Sequence, residues 1–302
     1  MNKQELTNLV AEILSQMNAP QPQVKGSEYK TVVYNEDRSA CPADGGFVED
    51  VTMLDLRKLY LVKDPADEKA FRRLKERTPA RLGSGRAGPR YKTLTMLRFR
   101  ADHAAAQDAV FSELPEDFGE KNGLVSVQTR CKDKDEYLTR PDFGRCFDEE
   151  NANKIRSAIQ GKPTVQLVIG DGLSSAAISA NAMDCAQAIR DGLKVRGIEL
   201  GEGIFVKFCR VGAGDAVGDI TGCELVCVLV GERPGLVTDK SMSVYITYKP
   251  HTGVSESSRT VVSNIHAQGT PAVEAGAYVA ELIEKILQRK VSGVGLLTED
   301  KV

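Results

Sequence analysis

The sequence predicts an α/β fold: a Rossmann-like, doubly wound and mostly parallel sheet in residues 151–302, preceded by a smaller, mainly helical N-terminal region. Two observations lead there. Beyond Asn151, short runs rich in Val, Ile, Phe and Tyr alternate with longer segments of helical period, the pattern of strands joined by crossover helices. One of those runs, Leu225-Val226-Cys227-Val228-Leu229-Val230, has no polar alternation, as a strand covered on both faces requires.

Taken in order, residues 3–17 place Leu6, Leu9, Val10, Ile13, Leu14 and Met17 at i, i+3, i+4, i+7, i+8 and i+11. That spacing is a single apolar stripe on about four turns of helix. Residues 19–50 carry Pro20, Pro22, Gly26, Pro42, Gly45 and Gly46 without a sustained period, and read as a linker. The stripe of 1–18 therefore either folds back on the body or docks into a groove of another protein.

Residues 51–150 read as a mainly helical region. Between Arg57 and Arg100 fourteen basic residues meet four acidic ones, against a net charge of −2 for the chain, so about −12 lies elsewhere. Such asymmetry points to an anionic partner or an acidic subunit surface. Aromatic interleaving is sparse in that run, which argues against a nucleic-acid binder. Gly83 to Arg90 is too glycine-rich for a helix and reads as a turn leading into one, whose Leu94, Leu97, Ala101, Ala104, Ala105 and Phe111 form an apolar face.

In residues 151–302, strands are expected at 165–169, 204–208, 225–230 and 244–248, and helices near 174–196 and 212–222. A last helix opens with Thr270 as N-cap and Pro271 at the first helical position and runs to a Gly293 stop.

The 302 residues are about two domains' worth, and 40 Lys+Arg against 42 Asp+Glu is ordinary globular usage, which excludes a stapled miniprotein or a disordered chain. No run of eighteen apolar residues occurs and the N-terminus lacks the apolar core of a signal peptide, so a soluble, intracellular protein is expected, with no membrane partner. Seven Cys, at 41, 131, 146, 185, 209, 223 and 227, contain no C-x-x-C pair, so neither disulfides nor zinc are expected.

In an open α/β sheet, ligands bind beyond the carboxyl ends of the strands. Gly170-Asp171-Gly172-Leu173-Ser174-Ser175 is G-x-G-x-x-S, a weak dinucleotide fingerprint, and it motivates the alternative of a stand-alone nucleotide-binding Rossmann-like protein. Cys209-Arg210-Val211-Gly212, Gly231-Glu232-Arg233-Pro234-Gly235 and the stretch 259–271 are further edges. Glu232 alone suggests no more than a surface salt bridge. Asn264-x-His266-x-x-Gly269 differs by one residue type from the D-x-H-x-x-G motif of proteins that ligate cobalt through histidine; Asn in place of Asp favours a loop-anchoring histidine. No nucleophile elbow, phosphate loop or H-E-x-x-H exists, and no independent catalytic or metal-binding set is expected.

Gly85-Arg-Ala-Gly-Pro-Arg90, Asp133-Lys-Asp-Glu-Tyr-Leu-Thr-Arg-Pro-Asp142, Gly170-Asp-Gly-Leu-Ser174, Gly231-Glu-Arg-Pro-Gly-Leu236 and Ser263-Asn-Ile-His266 followed by Gly269-Thr-Pro-Ala-Val-Glu-Ala275 occur in that order. Together they resemble the small (light) subunit family of ethanolamine ammonia-lyase, from about residue 80 to the C-terminus, with residues 1–50 outside the match. The resemblance implies a lyase that uses adenosylcobalamin to convert ethanolamine to acetaldehyde and ammonia by a radical mechanism. It implies that a large subunit holds substrate and catalytic residues while this chain helps bind the cofactor. Its cobalamin contacts map onto Val211, Glu232 and Val261; Cys209 and Gly212 depart from the family pattern of a glycine and often a lysine. The cofactor is expected to keep its own lower ligand. The resemblance further implies a bacterial microcompartment location, with residues 3–17 as an encapsulation peptide for the shell.

Overall fold

The structure is a computed structural model that describes residues 50–78 and 80–298. The helix expected over 3–17, the linker up to residue 49 and Cys41 lie outside the described residues.

In chain order the elements are α1 (Glu68–Lys75), β1 (Arg86–Ala87), β2 (Arg90–Tyr91), α2 (Thr93–Phe111), α3 (Phe118–Lys121), β3 (Val125–Gln128), α4 (Lys134–Thr139), α5 (Glu149–Ala158), β4 (Val165–Asp171), α6 (Ser175–Val195), β5 (Ile204–Lys207), α7 (Ala213–Thr221), β6 (Leu225–Gly231), β7 (Met242–Tyr248), β8 (Arg259–Ile265), α8 (Ala272–Arg289) and α9 (Val294–Thr298), with short 3-10 turns between some of them. Strands β3 to β8 form one sheet in the order β3-β5-β4-β6-β7-β8. The first four are parallel, and β7 runs antiparallel to both β6 and β8. Strand β8 thus points the same way as β6, and its carboxyl end joins the rim formed by the parallel strands.

Helices cover both faces. Every residue of β4 and β6 is buried, which is why β6 is continuously apolar and β4 departs from that only at the buried Gln166 and Asp171. Ile178, Ile189, Val279 and Ile283 of α6 and α8 pack with Leu167, Ile169, Leu229 and Val244 on one face. Ile155, Ala213 and Val217 of α5 and α7 pack with Val168, Val206, Val226 and Val228 on the other. Each fully buried Ile or Leu contributes about 1.5–3 kcal/mol of transfer free energy, so these two layers hold the sheet. Ser174 starts α6 as N-cap, its hydroxyl accepting from the Ala177 N–H at 3.0 Å.

The four expected strands and the helices near 174–196 and 212–222 are present. Two further strands, β3 and β8, were not read from the sequence. Both are sheet edges with mixed polar and apolar residues, so neither carries a continuous apolar run. Strand β3 pairs with β5, so the sheet draws on residues before 151.

Three local expectations are corrected. The last helix begins one residue later, with Pro271 as N-cap making no side-chain cap, while the Thr270 N–H donates to the Asn264 carbonyl; its C-cap is Lys290 in the left-handed region, ahead of Gly293. Gly83 to Tyr91 contains the small β1–β2 hairpin. The face expected on α2 is not buried by the described residues: Leu97 is 46% and Phe111 60% exposed, joined by Met96 and Phe99. What α2 turns inward is Thr95, Arg98, Asp102 and Ala109, with Asp102 accepting from Arg81 and Arg98. No helix among the described residues is long and apolar enough to cross a membrane.

Candidate functional site

The rim at the carboxyl ends of β4, β5, β6 and β8 holds all the edges singled out from the sequence. They are not equivalent, because the chain fills one of them with its own side chains.

The Gly170–Ser175 edge is closed. A Cβ at Gly172 would lie 2.8 Å from the Cys209 carbonyl oxygen and 3.1 Å from the Tyr137 hydroxyl, so this glycine serves close packing rather than a ligand. The Tyr137 hydroxyl donates to the Cys209 carbonyl at 3.1 Å, and Lys134 Nζ donates to the Gly172 carbonyl at 3.0 Å. Asp171 accepts from the Ser175 hydroxyl at 2.6 Å and from the Leu114 N–H at 3.3 Å; burial raises its pKa despite both bonds. The close approach at Gly172 and the engaged Asp171 carboxylate leave little room for a nucleotide here, and the nucleotide-binding alternative is not favoured.

The edges after β5, β6 and β8 share one face of the sheet. In register, Val228, Tyr245 and Val261 lie side by side across β6, β7 and β8. Val211 packs against the cluster containing Val228 and Val230 from the turn that opens α7. That turn is drawn down because Gly214 has no side chain: a Cβ there would meet Val228 Cγ2 at 2.5 Å. Val211 is half-buried and Val261 is 43% exposed, so both offer apolar surface at the edge of this layer.

Glu232, one residue past β6, is half-buried and makes no ion pair with any described residue, unlike the surface bridge expected of it. Its Oε1 accepts instead from neutral donors, the Ser243 hydroxyl at 2.6 Å and the Asn264 N–H at 3.0 Å. Its backbone N–H donates to the Ser241 carbonyl at 2.9 Å. The Asn264 N–H reaches this carboxylate because β8 bulges between its pairings with Met242 and Val244, and Asn264 sits at φ 64°. Burial first, and then the carboxylates of Glu232 and Glu256, push the Tyr245 phenol pKa up. The result is an uncompensated carboxylate above a small apolar floor.

Val211, Glu232 and Val261 are therefore brought onto one face, with Glu232 beside Ser243 and Asn264. Ser243 was not singled out from the sequence, and Asn264 only as the residue in place of Asp beside His266, not as a donor to Glu232. The alternation in β7 did carry a signal: Met242, Val244 and Ile246 are buried on one face, while Ser243, Tyr245 and Thr247 alternate with them on the other.

Beneath Val261, Arg259 makes a bidentate pair with Asp215 of α7, Nη1 to Oδ1 and Nη2 to Oδ2 both at 2.7 Å. The two side chains are 3% and 8% exposed. Hydrogen bonding to Asp215 comes first among the causes that raise the Arg259 pKa. This pair ties the first strand residue of β8 to the helix that follows Val211.

His266 is buried. Its Nδ1 accepts from the Gln268 N–H at 3.3 Å, which leaves Nε2 as the protonated nitrogen that donates to Asn264 Oδ1 at 2.9 Å. Both ring nitrogens serve the loop. Among the described residues no group of three or more His, Cys, Asp or Glu side chains converges as a metal site. Cys131, Cys146, Cys185, Cys209, Cys223 and Cys227 are free thiols, with burial pushing Cys185 and Cys209 up to about 12.

The family model for the ethanolamine ammonia-lyase light chain matches residues 68–297. A protein of Clostridioides difficile named ethanolamine ammonia-lyase small subunit is 53% identical over 98% of this chain and all of its own length. Proteins of the same name from Listeria monocytogenes and Fusobacterium nucleatum are 51% and 48% identical over 98% and 97% of this chain, covering 100% and 98% of their own. These alignments reach into the first fifty residues, beyond the span that the motifs cover.

Proposed function

The chain belongs to the ethanolamine ammonia-lyase light-chain family, and from that premise we propose that it is the subunit that binds adenosylcobalamin for a larger catalytic partner. The enzyme so formed converts ethanolamine to acetaldehyde and ammonia. The cofactor, when bound, supplies the radical chemistry through homolysis of its cobalt–carbon bond; substrate and catalytic groups belong to the partner.

One observation carries this reading: Glu232 is a half-buried carboxylate held by neutral donors, with no ion pair to any described residue and with Val211 and Val261 on the same face. A corrinoid fits that donor set, because its rim carries neutral amide side chains whose N–H groups need acceptors and its ring edge is apolar. The contacts we assign are Glu232 accepting from a corrin amide, and Val211 and Val261 lining the ring edge or nucleotide tail. With both nitrogens of His266 engaged in its loop, the cofactor keeps its own lower ligand.

The partner is a large subunit. Support comes from α2, whose Met96, Leu97, Phe99 and Phe111 are exposed beside the basic stretch 57–100, a combination suited to an acidic, partly apolar subunit face. We further propose that residues 3–17 dock into a microcompartment shell, the location the family resemblance implies.

The test is reconstitution with a matching large subunit and adenosylcobalamin. Ammonia should be released from ethanolamine by the mixture and by neither chain alone. Glu232→Ala should raise the half-saturating cofactor concentration about tenfold, the worth of one hydrogen bond to a charged group. An unchanged requirement removes Glu232 from the site.

A further inference from the structure

We propose that Ser243 is a positioning residue for Glu232, aiming one carboxylate oxygen at the cofactor by tying up the other. This inference rests on the reading of Glu232 as a corrinoid-facing acceptor.

Ser243 Oγ is 2.6 Å from Glu232 Oε1 and 3.0 Å from Ser263 Oγ. A hydroxyl carries one proton, and an ionised carboxylate can only accept. Ser243 must therefore give its proton to one of two neighbours, and the shorter contact, to the carboxylate, takes it ahead of Ser263 Oγ. That proton ends on Oε1, which also takes the Asn264 N–H. With two donors on Oε1, Oε2 is the oxygen left to a ligand. Ser243 is buried on β7, which pairs with β6 on one side and β8 on the other, so the donor is held in place. Ser263 lies at the β8 bulge that also turns the Asn264 N–H toward the carboxylate. A glutamate free to rotate would lose side-chain entropy each time it met its ligand, and this arrangement removes that cost beforehand.

The decisive measurement is a double-mutant cycle on the assembled two-subunit enzyme, read as the dissociation constant of cyanocobalamin by equilibrium dialysis. Ser243→Ala should weaken binding about tenfold, comparable to losing a hydrogen bond to a charged group. In a Glu232→Ala background, where no carboxylate remains to be aimed, Ser243→Ala should change binding less than about twofold. Ser263→Ala, at an exposed position that folding tolerates, should weaken binding roughly twofold and lose that effect in the same background. Glu232→Ala weaker but Ser243→Ala and Ser263→Ala both silent would overturn the positioning role and leave the cofactor reading standing. Equal losses in both backgrounds would make Ser243 a packing residue and overturn it as well. If Glu232→Ala itself binds cyanocobalamin normally, the reading beneath the proposal fails, and the proposal with it.

Discussion

Breaking the Arg259–Asp215 pair tests whether the edge of the sheet that carries Val261 is held electrostatically. Both carboxylate oxygens and both terminal guanidinium nitrogens are used at 2.7 Å, and the side chains are 3% and 8% exposed. Arg259 also donates to Glu256, but that carboxylate is 71% exposed, so water screens the contact and it is worth at most about 1 kcal/mol. Arg259→Met would leave Asp215 as a desolvated charge whose guanidinium partner is gone. Removing one member of such a pair costs about 3–5 kcal/mol. In a domain of this size each kcal/mol lowers Tm by about 2–4 °C, so the expected fall is roughly 6–20 °C. Arg259→Met with Asp215→Leu should cost less than Arg259→Met alone, because no charge remains buried. Urea unfolding followed by circular dichroism and tyrosine fluorescence is the assay, the latter being clean because the chain has no Trp. If Arg259→Met costs under about 1 kcal/mol, or the double variant costs the sum of the singles, the pair is a spectator and the reasoning is wrong.

On α2, Leu97→Asp and Phe111→Asp should raise the dissociation constant for the large subunit at least about tenfold while leaving the Tm of this chain alone within about 2 °C, since both side chains are exposed; ultracentrifugation of the mixture decides it, and unchanged assembly places the interface elsewhere. Deleting residues 1–20 should leave activity intact and release the enzyme from microcompartment shells on fractionation, and a deletion that stays encapsulated without any signal on the large subunit speaks against shell docking by 3–17. Alkylation at pH 8 with peptide mapping should label the partly accessible Cys146 well before Cys185 and Cys209, whose thiolate fraction is about one in ten thousand at a pKa near 12. For these two buried thiols the folded pKa lies above the unfolded value of 9.0, so folding favours the neutral form. Their contribution is therefore constant well below pH 9 and is lost as pH rises from about 9 toward 12; stability that is flat across that window would contradict the assignment.

The central strands were legible because burial on both faces favours an apolar run, unbroken in 225–230 and interrupted in 165–169 only by Gln166, whose amide donates to the Glu202 carbonyl. Strand β8 was not, because its free edge and bulge let Ser263 and Asn264 stay exposed, and the same residues read equally well as a loop. The α2 face was legible as an apolar stripe, but periodicity cannot say whether the partner of a stripe is in the same chain. At the rim, the sequence pointed to Glu232 without its donors. Ser243 is eleven residues away and Asn264 thirty-two, and only the antiparallel turn of β7 followed by β8 brings them to one carboxylate. The two glycines of 170–172 misled in the opposite direction. Glycine permits close approach by anything, and here the approaching groups are the chain's own Tyr137 and Cys209.

That closure has a consequence for how the rim works. In an open α/β sheet the crevice at the strand-order switch is the usual ligand site; here residues 131–146 occupy the end of β4 and push any ligand toward β6, β7 and β8. On that side no helix follows β6 to roof the site, since the chain turns back directly into antiparallel β7, and Val261 on the edge strand stays 43% exposed. A ligand resting on Val211, Glu232 and Val261 would have one face against this chain and the opposite face open to solvent. The radical chemistry we propose would need that open face covered, because reactive intermediates must be kept from water. On that reading a second chain would close the rim, and the apolar side chains of α2, which no described residue covers, would offer a surface on which that chain is held.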